Sequence, residues 1–516
     1  FVLYRAMQKC KDQFLCFSKN LSQGLCQKVQ NSLSLIRSSN ISSNELELSV
    51  QDFEIGLKNK FHDLALINEK YDEMLNSKLD GTNTLKLFTT IIDNNVNLKN
   101  TNFYFCGFDA FTKQGYEIIK AISKNCKNLV IGAFKSKVKN NSYIFDEEVT
   151  KTIKQIFEDE KIEYVEEECN TVFNLGQKQI FENVFGCKIS KGENYNYSYV
   201  YEMPTKQDEV DFVAKQICYL VKNKNVKYSD ICVATNEDYF NEIENTFSSF
   251  EISYYIDLST TLYETQFCNY IKYALDLVIQ NYDKESILNF ITNPFFEVEE
   301  NEKCDLINFI YENNIEYKKC EKLFEKCEKF KEYYDFLNNF NNLKTIKEMI
   351  DGITQMLSNF KINEKLNSLI EEMSDNLLTQ KLYIQVWDKL ENINNKIKDS
   401  IGDEEISLTD FYDFYFAVVK DIKISQVPLS VDSVYVGDIS SSFFEKTKYV
   451  FVVGANQDVV PSVTKDLGLI PDKDIEKLSN KINIAPTVKI INKRNKFKVF
   501  DILTNAQEKL YITYRI

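Results

Sequence analysis

Residues 102–134, NFYFCGFDAFTKQGYEIIKAISKNCKNLVIGAF, decide the fold class of this chain. Two short apolar runs, NFYFCGF and NLVIGAF, flank a segment whose apolar residues recur at three- and four-residue intervals, the period of an amphipathic helix. A strand, a helix and a second strand in this order form the unit of parallel sheets, because parallel neighbours need a crossover connection. The stretch therefore predicts an α/β fold.

The same alternation of strands and helices returns further along the chain. Strand-like runs alternate with helical periodicity from residue 198 to residue 257, and strand-like runs return after residue 430. The stretch between them has helical periodicity with alternating charges, which is typical of solvated helix faces. We therefore predict a second α/β domain that contains an inserted helical domain. The strand-like runs are SYVYEM, DICVAT, ISYYID, SVYVGDI, YVFVVGAN and LYITY, and KFKVFDILTNAQEKL before the last one is predicted to be helical.

The composition excludes several classes of protein and site. The 516 residues are 44% hydrophobic, which is enough for several folded domains, but no run of about 18 apolar residues indicates a membrane span or a signal peptide. The single histidine, His62, excludes metal sites built from several histidines and argues against a Ser–His or Cys–His catalytic pair. No two of the 13 cysteines are three positions apart, so CxxC metal and redox motifs are absent. This cysteine usage predicts a reducing compartment, most simply the cytoplasm.

The charge of the chain is acidic, but it does not exclude a local basic groove. Lysine and arginine total 62 against 77 aspartates and glutamates, which gives a net charge of −15. Only Arg5, Arg37, Arg494 and Arg515 are arginines, so the stretch from Ser38 to Lys493 contains none. Any site that needs an arginine in this stretch is therefore excluded.

The order and wording of these segments resemble the AddB (RexB) family, the B subunits of AddAB-type helicase–nucleases, which are relatives of UvrD-like superfamily-one helicases. The likeness rests on NFYFCGFDAFTKQGYEII, on YSDICVATNEDYFNEIENTFSSFEISYYID, and on YVFVVGANQDVVP with FKVFDILTNAQEKLYITY. It implies two RecA-like (P-loop NTPase-type) parallel-sheet domains with large helical insertions. The implied divisions are 1–98 for the first helical insertion, 99–194 for the rest of the first RecA-like domain, 195–261 and 425–516 for the second RecA-like domain, and 262–424 for its helical insertion.

The resemblance also indicates where the chemistry of the family would lie. A Walker A phosphate loop is expected upstream of Phe1, because no Gly-Lys pair occurs in the chain. A nuclease domain with an iron–sulfur cluster held by four cysteines is expected downstream, since no cysteine follows Cys327. We therefore expect no cofactor or metal in this segment, and ATP, magnesium or an iron–sulfur cluster only through regions outside it.

The motif positions that the resemblance assigns to ATP hydrolysis have lost the chemistry of active helicases. Active relatives end the first strand with Asp-Glu, a later strand with Gly-Asp-x-x-Gln, and carry two arginines that neutralise charge in the transition state. One arginine position falls within the arginine-free stretch, and the Thr-Arg-Ala signature reads Thr-Asn-Ala. The positions therefore predict a subunit that does not hydrolyse ATP. The degenerate positions are Gly107, Phe108 and Asp109, then Gly132 and Ala133, and finally Thr504, Asn505 and Ala506.

What remains in such a fold is a surface for single-stranded DNA. In UvrD-like proteins the strand crosses the loops that follow the strands, held by hydroxyls, amides and aromatic rings, with stacking worth about 1–3 kcal/mol per base. The turn DISSSFF occupies the place of a DNA-contacting motif of active relatives and still offers hydroxyls and rings. The candidate DNA-binding residues are Phe111, Thr112, Lys135, Lys137, Tyr143, Thr235, Asn236, Ser440, Ser441, Phe443, Phe444 and Asn456.

Three functions follow from these observations. The first is an ATPase-inactive, DNA-binding part of the B subunit of a heterodimeric helicase/exonuclease in double-strand-break repair, with an AddA-like partner and DNA, single- or double-stranded, as its ligands. For the family, the resemblance implies that this subunit scans single-stranded DNA for the recombination hotspot Chi while the partner supplies the motor. The second is an active UvrD-like DNA helicase, and the third is a scaffold for the AddA subunit that makes no DNA contact.

Overall fold

The computed structural model describes the chain except for residues 1, 20, 22, 76–80, 94–95, 109, 134–147, 169–172, 185–195, 258, 373–376, 426–429, 458, 467 and 485. The contacts of the chain divide it into two compact units. The first unit is Phe1–Ile217, Asp230–Thr246 and Asp438–Ile516, and the second is Cys218–Ser229 and Phe247–Gly437. Within the described residues, every helix is too short or too polar to cross a membrane.

The first unit opens with four helices that pack around one apolar cluster. They are α1 (Val2–Cys10), α2 (Gln23–Ser38), α3 (Ser43–Ser49) and α4 (Ile55–Leu75), and the next helix, α5 (Gly81–Asp93), buries Ile92 in a different cluster. Leu46 of α3 and Phe61, Leu64 and Ile67 of α4 are buried in this cluster, which we call the N-terminal cluster. A capping box starts α3: the Ser42 hydroxyl accepts from the Glu45 amide, and the Glu45 carboxylate accepts from the Ser42 amide.

The strand–helix–strand unit predicted from residues 102–134 is confirmed. Strand β1 (Asn102–Phe105) pairs in parallel with β2 (Asn128–Ile131), and α6 (Lys113–Asn125) connects them. Alanine and isoleucine side chains of α6 are buried against Phe103, Phe105 and Leu129 on one face of the pair. Two further helices, α7 (Glu148–Asp159) and α8 (Leu175–Asn183), follow along the chain.

Four parallel strands form the main sheet of the first unit. They are β3 (Ser198–Met203), β4 (Ile231–Thr235), β9 (Thr447–Val452) and β10 (Ala506–Arg515), and they lie in the order β3-β10-β9-β4. The rings of Tyr199, Tyr511 and Phe451 stack across three neighbouring strands, with centroids 5.5 and 4.7 Å apart. Helices α9 (Lys206–Lys224) and α10 (Phe240–Ser249) follow β3 and β4 along the chain. Each of these strands was predicted from its apolar run.

The junction between the last helix and the last strand differs from the prediction. Helix α20 (Val488–Asn505) ends at Asn505, and β10 begins at Ala506, inside the segment AQEKL that we predicted to be helical. The Gln177 side chain donates to the carbonyl oxygens of Thr504 and Ala506, both at 2.8 Å, and the Tyr197 hydroxyl donates to the Ala506 carbonyl at 2.7 Å. These donors satisfy carbonyls that a helix end leaves free, so tertiary contacts override the local helix propensity.

The second unit contains eight of the α-helices that the structure describes. Its strand β5 (Tyr254–Ile256) pairs in parallel with β8 (Val434–Asp438), and β6 (Ser259–Thr261) pairs antiparallel with β7 (Lys423–Ser425). Buried aromatic rings form its core, where the Tyr270 hydroxyl donates to that of Tyr333 at 2.7 Å. The helices are α11 (Gln266–Ile279), α12 (Lys284–Thr292), α13 (Glu300–Asn313), α14 (Glu328–Leu337), α15 (Ile346–Asn359), α16 (Ile362–Glu372), α17 (Leu377–Ile401) and α18 (Leu408–Lys420).

A segment near the C-terminus packs into the N-terminal cluster. Helix α19 (Asp472–Leu478) buries Ile475 and Leu478 among the side chains of α1–α4, together with Ile470 and Ile484 from its flanks. Three ion pairs surround this contact, Lys60–Asp474, Lys477–Glu54 at 2.6 Å and Lys481–Asp52 at 2.7 Å. The carboxylates of Glu54 and Asp52 are exposed, so their two pairs add little, and even the largely buried Lys60–Asp474 pair loses part of its attraction to desolvation, whereas each fully buried aliphatic side chain contributes about 1.5–3 kcal/mol. Apolar burial therefore holds α19 in place.

The coarse fold class is confirmed: the chain is a mixed α/β protein with mostly parallel strands and many helices. The finer interpretation as two RecA-like domains stays a prediction, and so do the five segment boundaries.

We predict that Leu478→Ala loosens α19 from the N-terminal cluster. Leu478 is fully buried, and truncating such a residue costs about 2–5 kcal/mol because a cavity remains. Amide hydrogen exchange measured by mass spectrometry should become faster in α19 and in α4. Glu476→Ala, at an exposed position of the same helix, is the matched control and should leave exchange unchanged. Equal protection in the two variants would contradict the packing described here.

Candidate nucleic-acid interface

Two exposed phenylalanines and one half-buried phenylalanine lie on two neighbouring loops of the first unit. After β1, the rings of Phe108 and Phe111 stack with their centroids 5.0 Å apart and their planes at 27°. Gly107 has a φ of +79°, and a Cβ built on it would lie 3.9 Å from Cε2 of Phe443, which follows β8. Phe108 is 45% exposed and Phe443 is 71% exposed. We call Phe108, Phe111 and Phe443 the aromatic patch.

The turn that carries Phe443 is built by one carboxylate. Oδ1 of Asp438 accepts from the backbone amides of Ser440 at 2.8 Å and Ser441 at 3.0 Å, and also from both serine hydroxyls. The Asp438 amide in turn donates to the Ser442 hydroxyl at 3.0 Å. An aspartate that binds the amides two and three residues ahead makes a tight turn without needing glycine. Ser440 and Ser441 are thereby left exposed beside the aromatic patch.

Helix α20 supports this turn from one side. Lys498 Nζ donates to the Ser440 carbonyl, and Asn505 Nδ2 donates to the Phe444 carbonyl at 3.1 Å. The two residues are seven positions apart, which places them on the same face of the helix. Lys498 is a polar neighbour of the candidate site that our sequence analysis missed. The sequence could have indicated Lys498, because it is seven positions from Asn505 in a predicted helix and therefore lies on the same face.

The predicted DNA-binding residues are divided between this surface and other places. Phe111, Ser440, Ser441 and Phe443 lie in or beside the aromatic patch, and Thr112 is exposed next to Phe111, where it caps α6 through the Gly115 amide. Phe444 is buried behind the turn. Four predicted positions lie outside the described residues: Asp109 of the ATPase motif, and Lys135, Lys137 and Tyr143.

Three other predicted residues have their polar groups engaged within the first unit. Thr235 is fully buried, and its hydroxyl donates to the Val453 carbonyl at 3.0 Å. Asn236 accepts from the Asp238 amide at 3.0 Å and caps a short 3₁₀ helix. Asn456 donates to the Arg515 carbonyl at 2.7 Å and accepts from its amide at 3.3 Å. Their side chains therefore stabilise the backbone at the carboxyl ends of β4, β9 and β10 by hydrogen bonds.

The motif positions for ATP hydrolysis offer no set of metal ligands within the described residues. Cys106, Gly107 and Phe108 follow β1, and Gly132 and Ala133 are exposed after β2. Thr504, Asn505 and Ala506 are buried at the junction of α20 and β10. No group of three or more His, Cys, Asp or Glu side chains in the described part of the chain could hold a metal ion. The described residues at these positions do not fit a magnesium–nucleotide site or an iron–sulfur cluster.

We predict that Asp438→Ala unfolds the turn without unfolding the sheet. The substitution removes the carboxylate that accepts from the amides of Ser440 and Ser441, and a hydrogen bond to a charged group contributes about 1.5–3 kcal/mol. Both amides should exchange with solvent roughly tenfold faster or more, since about 1.4 kcal/mol is a factor of ten. Asp432→Ala is the control, because that carboxylate accepts from the backbone amide of Ser229, at 2.8 Å, and not from the turn. Unchanged exchange at Ser440 and Ser441 would show that the Asp438 carboxylate does not hold the turn.

Comparisons with known proteins show which proteins this chain resembles. A family model described as ADDB, N-terminal matches residues 1–183. The whole chain is 24% identical to 48% of the B subunit of the ATP-dependent helicase/deoxyribonuclease of Caldanaerobacter subterraneus subsp. tengcongensis. The proteins of the same name from Clostridium acetobutylicum and Clostridioides difficile match the whole chain at 23% and 25% identity, over 49% of their length. The chain thus spans about half the length of these relatives. These matches confirm the resemblance of the chain to the AddB family.

Proposed function

We propose that this chain is a helicase-like, ATPase-inactive part of the B subunit of a heterodimeric ATP-dependent DNA helicase/exonuclease, and that its aromatic patch holds single-stranded DNA. The relatives are named as the B subunit of an ATP-dependent helicase/deoxyribonuclease, which supports DNA as the ligand and a second subunit as the partner. An AddA-like protein would supply the motor. Because the chain covers about half of these relatives, the activity of the whole protein is part of the proposal.

The observation that carries this proposal is the aromatic patch itself. Exposed phenylalanine rings are unfavourable in water, and a surface with several of them marks a binding site. Phe108 and Phe443 present rings to solvent beside the hydroxyls of Ser440 and Ser441 and the ammonium of Lys498. Rings that stack on bases, with hydroxyls and a cation for the backbone, form the usual surface for single strands. Every base has a π face, so such a surface tolerates many sequences and suits a protein that scans DNA for a hotspot such as Chi.

The absence of hydrolysis is supported by the residues at the motif positions. Phosphoryl transfer needs carboxylates for magnesium and cations for the charge that develops on the phosphate. Asn505 stands at the arginine position of the resemblance, and its amide binds the Phe444 carbonyl. Asparagine carries no charge that could stabilise a phosphate, and here its side chain stabilises the turn after β8. An asparagine in this contact fits a fold that keeps its DNA surface and no longer acts on a nucleotide.

We predict that removing rings from the aromatic patch weakens binding of single-stranded DNA. Phe443→Ala and Phe108→Ala should each cost about 1–3 kcal/mol, or roughly 5- to 150-fold in Kd, if each ring stacks on one base. Binding of a fluorescent oligothymidylate to the full-length protein, alone and with its partner, can be measured by anisotropy at several salt concentrations.

Tyr317→Ala is the matched control, because Tyr317 is an exposed ring in the other unit. Its affinity should equal that of the wild type. If the wild type itself shows negligible affinity at low salt, the protein is a scaffold for its partner instead. If all three variants bind like the wild type, DNA lies elsewhere and the patch proposal is wrong.

We predict that the full-length protein without its partner hydrolyses no ATP above background when single-stranded DNA is added. The reason is the loss of the charged groups described above, since lysine or asparagine does not reproduce the fork of an arginine. A coupled assay for ADP release checks this, with the complete heterodimer as the positive control. DNA-stimulated hydrolysis by the isolated protein would favour the active-helicase alternative and overturn the proposal.

A further inference from the structure

Arg494 on α20 has a buried donor without a partner. Its Nε is shielded from solvent and makes no hydrogen bond within the described residues. Arginine is always charged, and leaving a buried donor unpaired costs about 1–3 kcal/mol, with more for charged groups. Arginines in such positions usually face a carboxylate or a phosphate. Arg494 as a whole is partly exposed, so another molecule can reach the rest of its side chain although the Nε itself is covered.

The position of Arg494 on the helix connects it to the candidate interface. Arg494 is four residues from Lys498, which is seven residues from Asn505, so the three share one face of α20. On this face, Lys498 and Asn505 both bind carbonyls of the turn between Asp438 and Phe444. Arg494 extends the row by one helical turn, about 6 Å toward the start of the helix. The row therefore runs past the turn that carries Phe443.

The charge of α20 favours an anionic ligand. From Val488 to Phe500 the helix carries five basic residues and no acidic one, within a chain of net charge −15. Asp501 lies seven residues from Arg494 on the same face, where it is half-buried, and desolvation raises the pKa of its carboxyl. Asp472 uses its carboxylate on the amides of Val488 and Lys489 at the start of the helix. Asp438 uses its carboxylate on the amides of its own turn, and Glu445 is an exposed side chain.

We propose that Arg494, together with Lys498, binds a backbone phosphate of the single strand whose bases stack on the aromatic patch. This inference rests on the proposed function and names the part of the DNA that α20 contacts. The guanidinium offers a planar fork that matches phosphate oxygens, and the ammonium of Lys498 has donors left beyond the one that binds the Ser440 carbonyl. The aromatic patch would thus bind the bases, and α20 would bind the backbone.

The test is the salt dependence of DNA binding by the full-length protein. Each phosphate contact adds about 0.7 to the slope of log K against log salt concentration for a single strand. Arg494→Gln should therefore lower this slope by about 0.7 and weaken binding of oligothymidylate and oligodeoxyadenylate alike. Lys498→Gln should act in the same direction. Lys489→Gln, exposed on the opposite face of α20, is the control and should keep the wild-type slope.

Arg494→Lys keeps the positive charge, so it shows whether the glutamine variant loses binding through its charge or through a folding defect. It should retain most of the slope while losing affinity, because a point charge replaces the fork. If Arg494→Gln and Arg494→Lys bind DNA with the wild-type slope and affinity, while Phe443→Ala does not, this inference fails and the proposed function stands. If the wild type binds no single strand at all, both fail. If Arg494→Gln impairs binding of ATP but not of DNA, the ligand is a nucleotide and this inference is overturned.

Discussion

The buried junction between α20 and β10 is the contact on which the candidate interface depends. Gln177 and Tyr197 bind the free carbonyls of Thr504 and Ala506, so the helix stops there and the strand enters the sheet between β3 and β9. This junction determines the position of α20. The helix in turn supports the turn after β8 through Lys498 and Asn505. A buried and satisfied helix end thus fixes the place from which α20 supports a turn that Asp438 itself builds.

The aromatic patch combines two parts of the sequence that are far apart. Phe108 and Phe111 follow β1, and Phe443 lies more than 300 residues later, after β8. Only the folded chain brings these two loops close to each other. Gly107, whose backbone is left-handed, lies next to the ring of Phe443. The patch is therefore a property of the first unit as a whole. This fits a surface that binds an extended ligand, since bases along a strand need rings at successive positions.

Catalysis and strand binding depend on different residues. Catalysis of phosphoryl transfer depends on a few charged groups in fixed places, so a site without carboxylates and arginines cannot perform it. Stacking depends on exposed rings, which do not need those charged groups. The proposed function therefore separates the two, with a strand-binding surface in this chain and a motor in its partner.

Sequence patterns alone determined the fold class and most of the strands. The apolar runs at residues 449–456 and 510–514 contain strands, because a buried parallel strand needs a short continuous apolar run whatever its partners, and the run at 102–108 contains one that is only half-buried. The sequence also showed the hydroxyls and rings of the turn after β8, and it showed that no arginine lies between Ser38 and Lys493.

Only the tertiary structure decided which of the candidate residues reach the surface together. Thr235, Phe444 and Asn456 look like their exposed neighbours in sequence, yet burial and backbone partners engage them, and no local pattern encodes those partners. The same holds for the end of α20, where AQEKL favours a helix locally but pairs with β9 because Gln177 and Tyr197 hold the junction. Periodicity records what one segment prefers, whereas a binding surface depends on contacts between segments distant in the chain.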